Sequence, residues 1–79
     1  MPNITIYSTP SCTYCKMAKQ FLSENQISFV EKDVASDPVA MEEMLKKTGQ
    51  MGVPVIDIDG NIVIGFDREE LAKLLHLGV

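Results

Sequence analysis

Over its first 35 or so residues the sequence switches period twice, and this limits the folds open to it. Ile4, Ile6 and Tyr7 form a short β-forming run over Asn3–Ser8. From about Thr13 to Asn25 the apolar residues Tyr14, Met17, Ala18, Phe21 and Leu22 recur at intervals of three and four, the spacing of one helix face. Over Ile27–Val34, Ile27 and Phe29 alternate around Ser28, and Val30 and Val34 add β-branched residues. Strand, helix and strand at this spacing make a βαβ unit, so the two strands are expected to run parallel. Between the first strand and the helix, Ser8-Thr9-Pro10-Ser11 breaks the chain and offers capping hydroxyls, and Asn25 is an acceptable helix stop.

The rest of the sequence continues in kind. Asp37-Pro38 is a helix start, with Asp37 as cap and proline at the first helical position. That helix carries Met41, Met44 and Leu45 and is expected to end at Gly49. Val53–Ile58 reads as a third strand and Asn61–Ile64 as a fourth, antiparallel to it across an Asp59-Gly60 hairpin turn. Asp67 with Glu70 resembles a capping box with aspartate in the hydroxyl position, opening a last helix through Leu71, Leu74 and Leu75 that ends near Gly78. The order β-α-β-α-β-β-α predicts an α/β fold: a four-stranded mixed sheet with helices on both faces. No repeat, linker or shift of composition divides the 79 residues, so residues 1–79 are expected to form one domain.

Cys12-Thr13-Tyr14-Cys15 sits where the first strand gives way to the first helix. Free backbone N–H groups and the helix dipole favour an anion there. A thiolate is such an anion, so Cys12 is expected to be the reactive sulfur, with Lys16 and Lys19 near it on the same helix. Cys15 lies about one turn further in, less exposed but within reach. Cys12 would attack a substrate disulfide, and Cys15 would resolve the mixed disulfide. Two other readings are weaker. A structural zinc site needs four ligands, and the chain has one cysteine pair and a distant His76. A bridge closing so short a loop would stabilise the fold little.

Net charge is −4, from 11 acids against 7 bases, which disfavours nucleic acid and anionic membrane surfaces as partners. The N-terminal residues carry no signal-peptide pattern and no run is long enough to span a bilayer, so a reducing, cytoplasmic location is expected.

The sequence resembles the glutaredoxin family over nearly its whole length. The resemblance rests on Ile6-Tyr7-Ser8 leading into Cys12-Thr13-Tyr14-Cys15, on Gly52-Val53-Pro54, and on Ile64-Gly65-Phe66 before the last helix. It implies a thioredoxin fold and a dithiol oxidoreductase, expected to be a monomer with no tightly bound cofactor or metal. It further implies that Pro54 is cis and that the Val53 backbone holds a peptide-like substrate in strand fashion. Thr13 stands where the family usually has proline, and Thr9 where many members have lysine.

The same resemblance names glutathione as co-substrate. Tyr14, Lys16, Gln50, Val53, Pro54, Gly65, Phe66 and Asp67 are then its candidate contacts, with Gln50 toward a carboxylate and Asp67 toward an ammonium group. Three have a plainer reading: Tyr14 as helix packing, Gln50 as a loop residue, Asp67 as an N-cap. Phe66 replaces the family's second glycine, and either crowds the ligand or packs against the last helix. Gly65-Phe66 is similar to the small redoxins that serve ribonucleotide reductase and are reduced by thioredoxin reductase. Disulfide-containing proteins are the expected substrates on either reading. An iron–sulfur cluster-binding glutaredoxin is the alternative from another class, made less favourable by Cys15. A metal-delivery domain is a further one, though those usually carry methionine near the first cysteine. Met17, Met41, Met44 and Met51 are expected in the core or at its rim, and His76 in the last helical turn without a catalytic role.

Overall fold

A computed structural model describes residues 3–76. The chain runs β1 (Ile4–Ser8), α1 (Thr13–Glu24), β2 (Val30–Asp33), α2 (Pro38–Thr48), β3 (Val55–Ile58), β4 (Asn61–Ile64) and α3 (Arg68–Leu74). The strands lie in the order β2-β1-β3-β4. β1 and β2 are parallel, with Ile6 opposite Glu31. β3 is antiparallel to β1, with Ile56 opposite Ile6, and β4 returns antiparallel to β3. This is the mixed sheet expected of a thioredoxin fold.

Alternation along the strands sends side chains to two cores. Ile4, Ile6, Ile56, Ile58 and Val63 meet Ala18, Phe21 and Leu22 of α1 and Leu71 of α3 on one face. Tyr7 and Val55 meet Ala40 and Met44 of α2, together with Val34, on the other. β1 is central and covered on both faces, which is why its sequence is apolar at consecutive positions.

The predicted punctuation is present. Asp37 caps α2 by accepting from the Val39 and Ala40 N–H groups (3.0 and 3.3 Å), with Pro38 following. Gly49 closes α2 in the left-handed region at φ 70°, donating its N–H to Leu45 O. Asp59 and Gly60 both have positive φ (50° and 91°), the paired geometry that a two-residue hairpin turn requires.

Three boundaries differ from expectation by more than one residue. β2 begins at Val30 rather than Ile27. Gln26 turns at φ 57°, and the Ile27 N–H donates back to Leu22 O, so this segment finishes the helix. Ile27 and Phe29 still pack on the α1 core, which explains their apolar character without a strand. β3 begins at Val55, because the Val53–Pro54 stretch before it lies outside the ladder. His76 follows α3 at φ 56° instead of lying in its last turn. Gly78 lies outside the described residues.

Candidate active site

The break after β1 is resolved by sulfur. Cys12 adopts an extended backbone (φ −85°, ψ 114°) and is itself the N-cap of α1. The Cys15 N–H donates to Cys12 Sγ at 3.1 Å. That bond takes the place of the capping hydroxyl expected from Ser8, Thr9 or Ser11. Capping and reactivity therefore share one atom: the N–H that the helix start would leave unpaired points at the sulfur expected to react. Both cysteines are free thiols, Cys12 partly exposed and Cys15 fully buried at 0%.

Burial pushes the Cys15 thiol up from its ordinary 9.0 to about 11, and the hydrogen bond with Cys12 and the nearby Cys12 charge add to the rise. Lys19, one turn further along α1, opposes it. Lys19 is itself held by Glu31 of β2 at 2.6 Å, and Ser8 donates to the same carboxylate oxygen at 3.0 Å. Those two contacts hold the Glu31 carboxyl below its usual range. Ser8 is 1% exposed, four residues before Cys12. The sequence offers Ser8 as a capping hydroxyl and gives Glu31 no role; the signal for their pairing is a polar residue closing an otherwise buried strand.

The Val53–Pro54 bond is cis. The Val53 carbonyl oxygen lies 3.9 Å from Cys12 Sγ, and Pro54 is fully buried behind it. Pro54 O accepts the Gly65 N–H at 2.8 Å, which joins the segment after β4 to this loop, and Gly65 takes φ 82°. Cys12, Cys15, Val53, Pro54 and Gly65 are thus connected through direct contacts. Tyr14 and Met51 are each 63% exposed, and Lys16 is exposed on α1.

The remaining candidates are engaged within the chain. Gln50 Oε1 accepts the Gly52 N–H at 2.6 Å, and Gln50 Nε2 donates to Gly52 O at 3.1 Å. Asp67 caps α3 by accepting the Glu70 N–H at 3.1 Å. Phe66 packs edge-on against Phe21 of α1, with ring centroids 5.9 Å apart, on the core that Leu71 of α3 also joins. Arg68 lies over the same Phe21 ring, and the two frame a groove of about 200 Å³ with Met17, Gln20, Glu24 and Phe66. Met17 sits at its rim, Met44 is in the core and Met51 faces outward.

Among the described residues no three or more metal-ligating side chains cluster, and no helix is long and apolar enough to cross a membrane. What the site offers is a half-buried helix-capping sulfur, a second sulfur one turn behind it, and the half-buried Val53 main chain beside the first.

The chain is similar to known proteins in sequence and in fold. The glutaredoxin family model matches residues 4–63. A glutaredoxin-like 8.6 kDa protein of the rubredoxin operon of Clostridium pasteurianum is 50% identical over 73 residues, 92% of this chain and 97% of that one. Glutaredoxin 3 of Escherichia coli is 39% identical over 67 residues, 85% of this chain and 81% of its own. The glutaredoxin-like protein NrdH of Lactococcus lactis is 39% identical over 71 residues, 90% of this chain and 97% of its own. The crystal structure of the thioredoxin-like protein BC3987 superimposes with a TM-score of 0.86 at 35% identity, covering 91% of this chain and 99% of that one. With a redox-active Cys12–Cys15 pair at the start of α1, the chain belongs to the glutaredoxin family of thiol–disulfide oxidoreductases.

Proposed function

We propose that the chain reduces disulfides in proteins through a two-cysteine cycle and is recharged by thioredoxin reductase rather than by glutathione. The observation that carries the cycle is Cys12 Sγ capping α1 at 3.1 Å from the Cys15 N–H, with Cys15 buried behind it. The Cys12 thiolate attacks one sulfur of the substrate disulfide. A Cys12–substrate disulfide forms and the other substrate sulfur leaves as a thiolate. Cys15 then gives up its proton and attacks Cys12 Sγ. The Cys12–Cys15 disulfide forms and the second substrate sulfur leaves, so two electrons have passed to the substrate. The reductase returns two electrons to the pair. Both sulfurs and the helix amide lie in one chain, so the proposed cycle needs a monomer and no tightly bound cofactor. Its proposed setting is the cytoplasm, where thiols stay reduced.

The choice of reductant is supported by how Gln50, Asp67 and Phe66 are already engaged. Gln50 gives both ends of its amide to Gly52, Asp67 caps α3, and Phe66 fills space against Phe21. A glutathione molecule would have to displace these contacts to reach its expected partners. The likeness to an NrdH protein points the same way. Glutathione remains the second reading, supported by the equal identity to a glutaredoxin 3 and by the exposed Tyr14 and Lys16 beside Cys12. The relatives named above give a cluster-binding role no specific support.

One comparison decides between reductants. Oxidised protein is offered either thioredoxin reductase with NADPH, or glutathione with its reductase, and the return of free thiols is timed. Faster reduction through thioredoxin reductase is expected; faster reduction through glutathione overturns the choice of reductant. Cys12→Ser should abolish disulfide reduction in both arms, and surviving turnover would overturn the cycle itself.

A further inference from the structure

The segment between α2 and β3 carries the main chain beside Cys12, yet no regular element holds it. A side chain holds it instead. The Thr48 hydroxyl donates to Met44 O at 2.8 Å and accepts the Gln50 N–H at 3.3 Å, which anchors the loop to the last turn of α2. Gln50 then folds back on Gly52, accepting its N–H at 2.6 Å and donating to its carbonyl at 3.1 Å. Both backbone groups of Gly52 are thereby paired with one amide, much as a neighbouring strand would pair them.

We propose that Gln50 is a positioning residue that fixes the register of polypeptide substrates beside Cys12. An extended substrate segment that paired with Gly52 instead of Val53 would be shifted by a residue, which turns every side chain to the opposite face. The Gln50 amide occupies Gly52 and leaves Val53, whose carbonyl is 3.9 Å from Cys12 Sγ, as the next main-chain unit along the loop. The arrangement also explains the glycine. A Cβ at Gly52 would meet Gln50 Oε1 at 2.7 Å, so any other residue displaces the amide. Gly52 has no positive φ that would demand glycine on its own account. Glutamate at position 50 would keep the acceptor for the Gly52 N–H but set a carboxylate oxygen against the Gly52 carbonyl. This rests on the expectation, implied by the family resemblance, that Val53 receives substrate main chain, and concerns substrate choice, not the reductant.

The test compares a disulfide-bonded peptide with a small aryl disulfide, 5,5′-dithiobis(2-nitrobenzoate), which has no main chain to place. The protein is reduced beforehand and freed of reductant, and each substrate is followed through a single turnover at rising concentration, so the identity of the natural reductant does not enter. Peptide held in the shifted register occupies the site without reacting, so for Gln50→Ala and Gln50→Glu the limiting rate on the peptide should fall about tenfold against that on the aryl disulfide, the worth of the one or two net hydrogen bonds a freed Gly52 can offer. The peptide concentration at half-saturation should fall with it, because unproductive binding lowers both together. Gly52→Ala should lower the limiting rate on the peptide comparably in the unaltered chain, and add nothing once Gln50 is alanine, because its collision partner is gone. Equal losses on both substrates would overturn the proposal, as would a Gly52→Ala penalty that persists without Gln50. The unaltered chain's rate on the aryl disulfide reports on Cys12 separately, so the proposal and the redox cycle fail by different results.

Discussion

Raising the pH should unfold the reduced protein through Cys15. Its thiol is fully buried on the inward face of α1 and titrates near 11 instead of 9.0, chiefly because burial penalises the thiolate. In the unfolded chain that burial is gone and the thiol ionises near its ordinary value. Between about pH 9 and pH 11 the unfolded state therefore holds fewer protons than the folded one, and stability falls as pH rises. Each unit of difference is worth about 1.4 kcal/mol. The shift from 9.0 to about 11 thus removes about 3 kcal/mol across the window, a large share of the roughly 5–15 kcal/mol that holds a small domain together. Below pH 9 the contribution is fully present.

Urea unfolding of the reduced protein at half-unit steps from pH 8 measures this directly. Two controls isolate the cysteine. Cys15→Ala has no thiol to ionise, and the oxidised protein has both sulfurs in a disulfide; each should lose the alkaline slope. Lys47 contributes in the same direction, because Asp57 and the Tyr7 hydroxyl hold its ammonium at 2.7 and 2.9 Å and raise its pKa. That contribution fades only above its ordinary 10.5 and is common to all three proteins, so it cancels in the difference. Parallel stability–pH curves for the reduced protein and Cys15→Ala would refute the burial argument.

Two further outcomes are expected. Cys15→Ser should halt the cycle after the first attack and accumulate a substrate adduct on Cys12, visible by intact mass; full turnover on a protein disulfide without adduct would contradict its resolving role. Asp37→Ala removes the acceptor of two N–H groups at the start of α2 and should cost about 1 kcal/mol in urea, whereas an unchanged midpoint would mean that water or Ser36 replaces the cap.

Elements whose physics is local were legible in the sequence. The caps at Asp37 and Asp67, the left-handed Gly49 and the Asp59-Gly60 hairpin are each decided by residues a few positions apart, and each stands where it was expected. The run from Ile27 was misread for an equally physical reason. Ile27 and Phe29 are apolar because they seal the end of α1 against the core, and alternation over three residues does not separate that from a strand. The cis bond at Pro54 was legible only through the family resemblance, since residue patterns alone favour an ordinary strand entry.

At the site the limit is different. Sequence marks which side chains carry a donor, an acceptor or a charge, but not which of them the fold has already used. Gln50 and Asp67 were marked for a ligand by their chemistry and place, and both are bonded to backbone two and three residues away. Phe66, expected to crowd a ligand or to pack on the last helix, lies on a core shared with Leu71 of α3 and also meets Phe21, far earlier in the chain. At the cysteines the ambiguity is smaller, because the contacts of Cys12 Sγ, from the Cys15 N–H and to the Val53 carbonyl, lie within the site itself. The N–H that caps α1 points at the sulfur that the proposed cycle uses as nucleophile, so folding and the proposed chemistry meet at that atom. A glutathione-gripping function would place opposed demands on Gln50, Asp67 and Phe66. The proposed polypeptide substrate, held by main chain at Val53, would leave those three contacts intact and exchange only the contact between Cys12 Sγ and the Val53 carbonyl.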